Sequence, residues 1–190
     1  MKLKLVALVC LFALNQTFGQ TKTITFTQPK GFVFVPSTNA SSKSKTSFYV
    51  MAEPVTMKDY KDFTVYLVTH NKLNEATICT NSIPKNIDPK AKYISLASPQ
   101  AIAMYAEYLS KKLSDQNILV KCSLVSEDNW KQMQGPETGK LPKAKNPYGI
   151  TYVKNFHEWK ANAIGNPETY TDVNGNKSSG FRLKLTYIQK

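Results

Sequence analysis

Arginine is almost missing from this chain. Of its 25 basic residues only Arg182 is arginine, and every other one is lysine. A surface that needs only positive charge is served by lysine. A single guanidinium therefore marks a position that wants a planar, multi-donor fork, such as a buried bidentate ion pair, unless a lysine-favouring genome has kept one arginine by chance. It stands in Gly180-Phe181-Arg182-Leu183, where Gly180 permits a tight turn and Phe181 offers a large apolar anchor. The same scarcity argues against nucleic acid as a partner, because base and backbone readout lean on arginine. No predicted helix carries a basic face interleaved with aromatics. Acidic residues are also few, 13 in all, leaving a net charge of +12. The lysines are spread from Lys22 to Lys190, as on a generally basic, solvated surface. Such a surface suits anionic lipid, lipopolysaccharide, peptidoglycan-linked polymers or an acidic partner.

Cysteine and histidine are scarce too, three and two residues respectively. Cys10 lies in an N-terminal apolar stretch. Cys79 and Cys122 form no metal motif and have no nucleophile signature around them. In an oxidising compartment they can pair and close a long loop, worth roughly 3–4 kcal/mol, or remain as two buried free thiols. His70 and His157 have no serine or cysteine motif beside them and no metal-ligand spacing. Glu127 and Asp128 read as carboxylates at a helix N-terminus, not an acid/base pair. Asp172-Val173-Asn174-Gly175-Asn176 is faintly similar to a calcium loop but lacks the glutamate that should follow, so a turn is expected. No catalytic residue, metal or cofactor is predicted.

Long apolar runs are limited to Leu5–Leu14, too short to span a bilayer. With Lys2 and Lys4 before it and Phe18-Gly19-Gln20 after it, residues 1–20 read as a cleaved export signal. Its Gly-Gln ending resembles signal peptides of the Bacteroidota. No later segment is apolar enough to cross a membrane, so the product is expected in the periplasm, at the cell surface or outside the cell. Residues 21–190 suit one domain with its own core.

Strands are predicted at Thr23–Phe26, Phe32–Val35, Ser47–Met51, Ile118–Leu124 and Phe181–Ile188. Residues 38–46 form a mobile polar loop and 134–147 a Pro/Gly/Lys loop. A helix starts at Thr56, which can cap with Asp59, and presents Tyr60, Phe63 and Leu67 on one face. Another opens at Ser98-Pro99 and presents Ile102, Tyr105, Ala106, Leu109 and Leu113, with Lys111 and Lys112 at its C-terminal end. Ser126 begins a short helix carrying Trp130. His70–Lys92, with Pro84 and Pro89, reads as irregular, and Gly165–Ser179 as a polar loop. The strands do not alternate with helices, so the class is α+β with long loops.

Six segments, in order, resemble the formylglycine-generating-enzyme (sulfatase-modifying factor) domain family. Gly31-Phe32-Val33-Phe34-Val35-Pro36-Ser37 is similar to its opening strand. Ser47–Val50, then Glu53-Pro54-Val55-Thr56 and Tyr60–Phe63, resembles its strand running into a helix. Ala106-Glu107-Tyr108-Leu109-Ser110 is similar to the Ala-Tyr-Cys-Glu-Trp-Leu helix. Leu124-Val125-Ser126-Glu127-Asp128-Asn129-Trp130 resembles Leu-Pro-Thr-Glu-Ala-Glu-Trp. Asn146-Pro147-Tyr148-Gly149 with Asn155-Phe156-His157-Glu158-Trp159 is similar to the Asn-x-Tyr-Gly and Gly-Asn-Val-Trp-Glu-Trp block. Gly180-Phe181-Arg182 matches the terminal Gly-Phe-Arg. The resemblance implies a C-type-lectin-like α+β domain with much irregular structure. In it Trp130, Asn155, Glu158, Trp159, Gly180, Phe181 and Arg182 are structural residues.

The departures from the family bear on function. Its oxidising members hold copper on a cysteine pair just upstream of Gly-Phe-Arg, and Asn166–Ser179 contains no cysteine. Ser123 and Val125 stand where the family has Arg and Pro. Lys154-Asn155-Phe156-His157 replaces Gly-Asn-Val-Trp, so His157 is expected as a partly buried structural residue. Asn155 and Glu158 match oxygen donors of a family calcium site, but Glu158 is expected to pair with Arg182 instead. The implied reading is not an enzyme. It is an exported, non-catalytic interaction or scaffold protein of the cell envelope. It would be an accessory subunit of a larger complex, similar to relatives in gliding motility and type 9 secretion. The alternative is a lectin-like module binding a glycan or peptide, with Tyr148, Tyr152, Phe156 and Trp159 as stacking candidates.

Overall fold

A computed structural model describes residues 28–37, 46–88, 90–96, 98–134, 146–153, 156–161, 167–168 and 179–188. The export signal, the Thr23–Phe26 strand, 38–45, 135–145, Asn155 and nearly all of the 165–179 loop lie outside these residues. The described residues form an α+β domain. Its four-stranded sheet is antiparallel throughout, in the order β1 (Phe32–Val35), β2 (Phe48–Met51), β6 (Leu183–Tyr187) and β3 (Val120–Leu124). A two-residue pair, β4 (Lys160–Ala161) and β5 (Pro167–Glu168), stands apart.

Side chains along these strands alternate between two cores, as a pleated strand requires. Phe32, Tyr49, Met51, Cys122, Leu183 and Leu185 belong to a large core shared with helices α1 (Met57–Thr69), α2 (Leu73–Asn81) and α3 (Pro99–Ser114). Val35, Phe48 and Val50 belong to a smaller one with Val125, Trp130, Met133 and Ile150. The sheet is therefore buried on both faces, and the second is covered by helix α4 (Glu127–Gln134).

Helix α1 (Met57–Thr69) begins where its cap predicts. Thr56 Oγ1 accepts the Asp59 amide at 3.1 Å and donates to Asp59 Oδ2 at 2.5 Å. Met57, Tyr60, Phe63 and Leu67 are its buried stripe. Helix α3 (Pro99–Ser114) is capped by Ser98 and buries Ala101, Ile102, Tyr105, Ala106 and Leu113, with Leu109 partly buried. Tyr60, Phe63, Tyr105 and Phe181 meet ring to ring at 5.4–6.0 Å between centroids, joining both helices to β6.

Three expectations are corrected here. The segment expected to be irregular contains helix α2 (Leu73–Asn81), which ends before Pro84. Its sequence hides it, because threonine, isoleucine and asparagine are poor helix formers and only Ala76 and Cys79 are buried. The hydroxyls of Thr77 and Thr80 turn back onto the carbonyls of Leu73 and Ala76, so they do not compete for the helix amides. Residue 134 belongs to α4, not to a loop; Asn146–Gly149 forms a turn, and 135–145 lie outside the described residues.

The third correction concerns the disulfide: Cys79 and Cys122 are both free and buried. Cys79 Sγ meets Met104 Sδ at 3.6 Å, and the Cys122 amide donates to Ser110 Oγ at 2.9 Å. Positions 104 and 110 lie on different faces of α3, about 9 Å apart along its axis. The two thiols thus meet the helix at different places, whereas a disulfide needs Cα atoms within about 7 Å.

Candidate functional site

Arg182 precedes β6 and turns its side chain to the α4 face of the sheet, two residues from Lys184 on the same face. It is 1% exposed, the largest of the fully buried side chains. Its guanidinium has five N–H donors, and all five are engaged. Nε donates to Glu158 Oε2 at 2.8 Å and Nη2 to Glu158 Oε1 at 2.7 Å, a two-pronged ion pair. Nη2 also donates to the Thr151 carbonyl at 2.9 Å. Nη1 reaches the Met51 and Ala52 carbonyls at 3.3 and 3.4 Å. One side chain thus joins β6, the end of β2, the Thr151 loop and the Glu158 segment. Its flat face lies 5.3 Å from the Trp130 ring centroid and 6.0 Å from that of Tyr152.

Glu158 itself has a side chain 5% exposed. Burial pushes the Tyr152 phenol up to about 12, against the opposing pull of the Arg182 charge. Of the residues expected to be structural, Trp159, Gly180 and Phe181 lie beside this pair in the chain, while Asn155 lies outside the described residues. Trp159 Nε1 donates to the Leu96 carbonyl at 2.9 Å, and the Trp159 amide donates to the Gly180 carbonyl at 2.8 Å. The Gly180 amide donates to the His157 carbonyl at 2.9 Å. A Cβ on Gly180 would fall 2.1 and 2.2 Å from carbons of the Phe156 ring, so glycine is required for that ring to lie on the backbone. Phe181 is fully buried. His157 is exposed, a correction: Phe156, partly buried against Tyr93, is the ring that packs in this block. Trp159 is likewise core and not available to stack on a sugar.

Residues outside the set expected to be structural complete the arrangement. Asn146 is buried; its Oδ1 accepts the Tyr148 and Ile150 amides at 3.0 Å each, and its Nδ2 donates to the Met133 carbonyl. The Asn-Pro-Tyr-Gly turn it holds has Gly149 at φ +82°, which was the available signal. Gln132 Nε2 donates to the carbonyls of Pro36 and Thr46, clamping both stems of the 38–45 segment.

Among the described residues, hollows also lie outside this knot. One, of about 700 Å³, runs beside the outer edge of β3 and is lined by Ile102, Ala106, Leu124, Lys121 and Lys184 among others. Another, of about 430 Å³, is bordered by Asp59, Asp62, Tyr105 and Tyr108. Burial holds the Lys184 ammonium below its ordinary value, and its partner is the neutral Oδ1 of Asn129 at 2.7 Å. Burial also pushes both thiols up, Cys122 to about 11 despite the Ser110 hydrogen bond. Among the described residues no three His, Cys, Asp or Glu side chains are grouped to hold a metal ion, and no helix is long and apolar enough to cross a membrane.

A scan against protein-family models finds no match, and searches of curated proteins and of solved structures find none either.

Proposed function

We propose that this chain is an exported, non-catalytic interaction protein of the bacterial cell envelope, an accessory subunit that docks on a larger assembly. The observation that carries the reading is the Arg182 knot. Glu158 and Arg182, charged residues of the last two resembling motifs, are directed inward and bonded to each other, and Arg182 also to backbone carbonyls. A guanidinium with all five donors engaged has none left for a ligand. Its role is to hold irregular segments in place, which is what a loop-rich binding scaffold needs. The antiparallel sheet, helices on its faces and long connections fit a C-type-lectin-like domain of the formylglycine-generating-enzyme type. Export is carried in this reading by residues 1–20.

A second reading, a lectin-like module for a glycan or peptide, is favoured by the 430 Å³ hollow. There the half-buried Tyr108 and the exposed Asp59 and Asp62 border one surface, a combination suited to stacking on and hydrogen-bonding a sugar. Affinity purification of the tagged chain from its own envelope separates the two. A stoichiometric large partner supports the interaction reading, and a solitary monomer that binds glycans on an array overturns it.

A further inference from the structure

Among the described residues, no strand pairs with the outer edge of β3. In the β3–β6 ladder, Leu119 accepts from the Ile188 amide at 3.0 Å, so positions 119, 121 and 123 face β6. The backbone groups of Val120, Cys122 and Leu124 therefore point away from it, along the outer edge. The 700 Å³ hollow follows this edge. Helix α3 forms one wall through Ile102, Ala103 and Ala106, and Lys121 and Lys184 border the other. A strand of five residues rises about 17 Å, and a cavity of this size is in the range that receives a short extended segment or a drug-sized ligand. Ser110 Oγ accepts the Cys122 amide, so one edge donor is held by a hydroxyl that can rotate away.

Charge selects the occupant. Among the described residues neither Lys121 nor Lys184 has a carboxylate partner, and Lys184 is half-buried against an amide oxygen. Glu107 is the single carboxylate of the lining and stands on the exposed side of α3. A second copy of the chain is disfavoured. Edge-to-edge pairing of two β3 strands places both copies' Lys121 on one face of one sheet, and the strand has no acidic residue to offset them.

We propose that the outer edge of β3 and the adjoining face of α3 form a docking groove for an extended, acidic peptide segment of a partner protein, added to the sheet as a fifth strand. Main-chain hydrogen bonds at the edge give affinity, the exposed Ala103 and partly buried Leu124 of the lining receive apolar side chains, and Lys121 and Lys184 meet the carboxylates. The proposal rests on the interaction reading above and names the surface and partner chemistry for it.

The test is an amide-resolved NMR titration of the mature chain with a capped octapeptide alternating valine and glutamate. Signals of Val120, Cys122 and Leu124 are expected to shift. Replacing the glutamates by lysine, or introducing Lys121→Glu in the protein, weakens binding about fivefold, the size of one partly exposed ion pair. N-methylating alternate peptide amides abolishes binding. Ser110→Ala, which frees the Cys122 amide, tightens it. Shifts elsewhere, equal binding of the lysine or N-methylated peptide, or dimerisation through β3 overturns the proposal. If a saturating excess of the valine–glutamate peptide leaves a stoichiometric envelope partner bound, the groove falls and the interaction reading stands. If the unaltered chain has no partner, that reading falls and the titration alone decides the groove.

Discussion

Arg182 and Glu158 are 24 residues apart in sequence and meet through two parallel hydrogen bonds of 2.8 and 2.7 Å, both side chains almost wholly out of water. An ion pair in such a place is costly to assemble and more costly to break, because the survivor is left as an uncompensated buried charge. Here the cost is offset by three further bonds to carbonyls of segments that have little regular structure of their own.

Arg182→Met is expected to destabilise the domain by about 3–5 kcal/mol, since Glu158 is stranded. Adding Glu158→Leu recovers much of the loss, and Arg182→Lys, with three donors and no planar fork, falls between. Urea unfolding of the four proteins checks this. A loss below about 1 kcal/mol for Arg182→Met contradicts the role given to the pair.

Gly180→Ala forces the Phe156 ring off the backbone and is expected to cost about 1–3 kcal/mol. In a Phe156→Ala background the same change costs much less. Thermal unfolding of the double-mutant cycle measures the difference, and strict additivity counts against the contact.

Stability should fall in alkali. Cys122 has a folded value raised from 9.0 to about 11 and Tyr152 from 10.0 to about 12, both by burial. A raised group stabilises the fold fully below its unfolded value, and that contribution is lost as pH rises toward the folded one. The decline therefore begins near pH 9 and continues to about 12. Denaturant midpoints across that range test it, and Cys122→Ala removes the earlier part of the slope.

The two thiols should be inert while the protein is folded. Both are buried with raised values, so little thiolate forms at pH 8. Ellman's reagent is expected to titrate Cys79 and Cys122 only after unfolding, and intact mass under mild oxidation to show no loss of two hydrogens.

Lys184→Met removes a desolvated ammonium while Asn129 Oδ1 keeps the Ser126 hydroxyl as donor. The melting temperature is expected to rise by about 2–4 °C, equivalent to about 1 kcal/mol in a chain of this size. A fall of that size shows that the lysine holds the fold, which would leave it no spare charge for the β3 groove.

Much of the framework was legible along the chain, and the reason is local. Thr56, Ser98 and Pro99 announce helix starts because capping is settled within one turn, and the stripes Tyr60-Phe63-Leu67 and Ile102-Tyr105-Leu109-Leu113 carry the period of a buried face. Helix α2 was illegible because it buries only two side chains and its propensities argue for something else; packing on α1 and α3 overrides them. The disulfide expectation failed for a related reason. Cysteine count and compartment say whether a bond is permitted, while the position of α3 fixes where each thiol sits.

Composition singled out Arg182 as a position that a planar guanidinium would suit, and the family resemblance offered Glu158 as its candidate partner. Only the tertiary structure decided which carbonyls take the other three donors, that Trp130 and Tyr152 lie against the guanidinium, and that Lys184 on the same face is left with an amide for a partner. The period of a helix or the alternation of a strand is written in neighbouring residues. The partners of a buried polar group such as Arg182 come from segments 24 to 131 residues away, and only the closed chain brings them together.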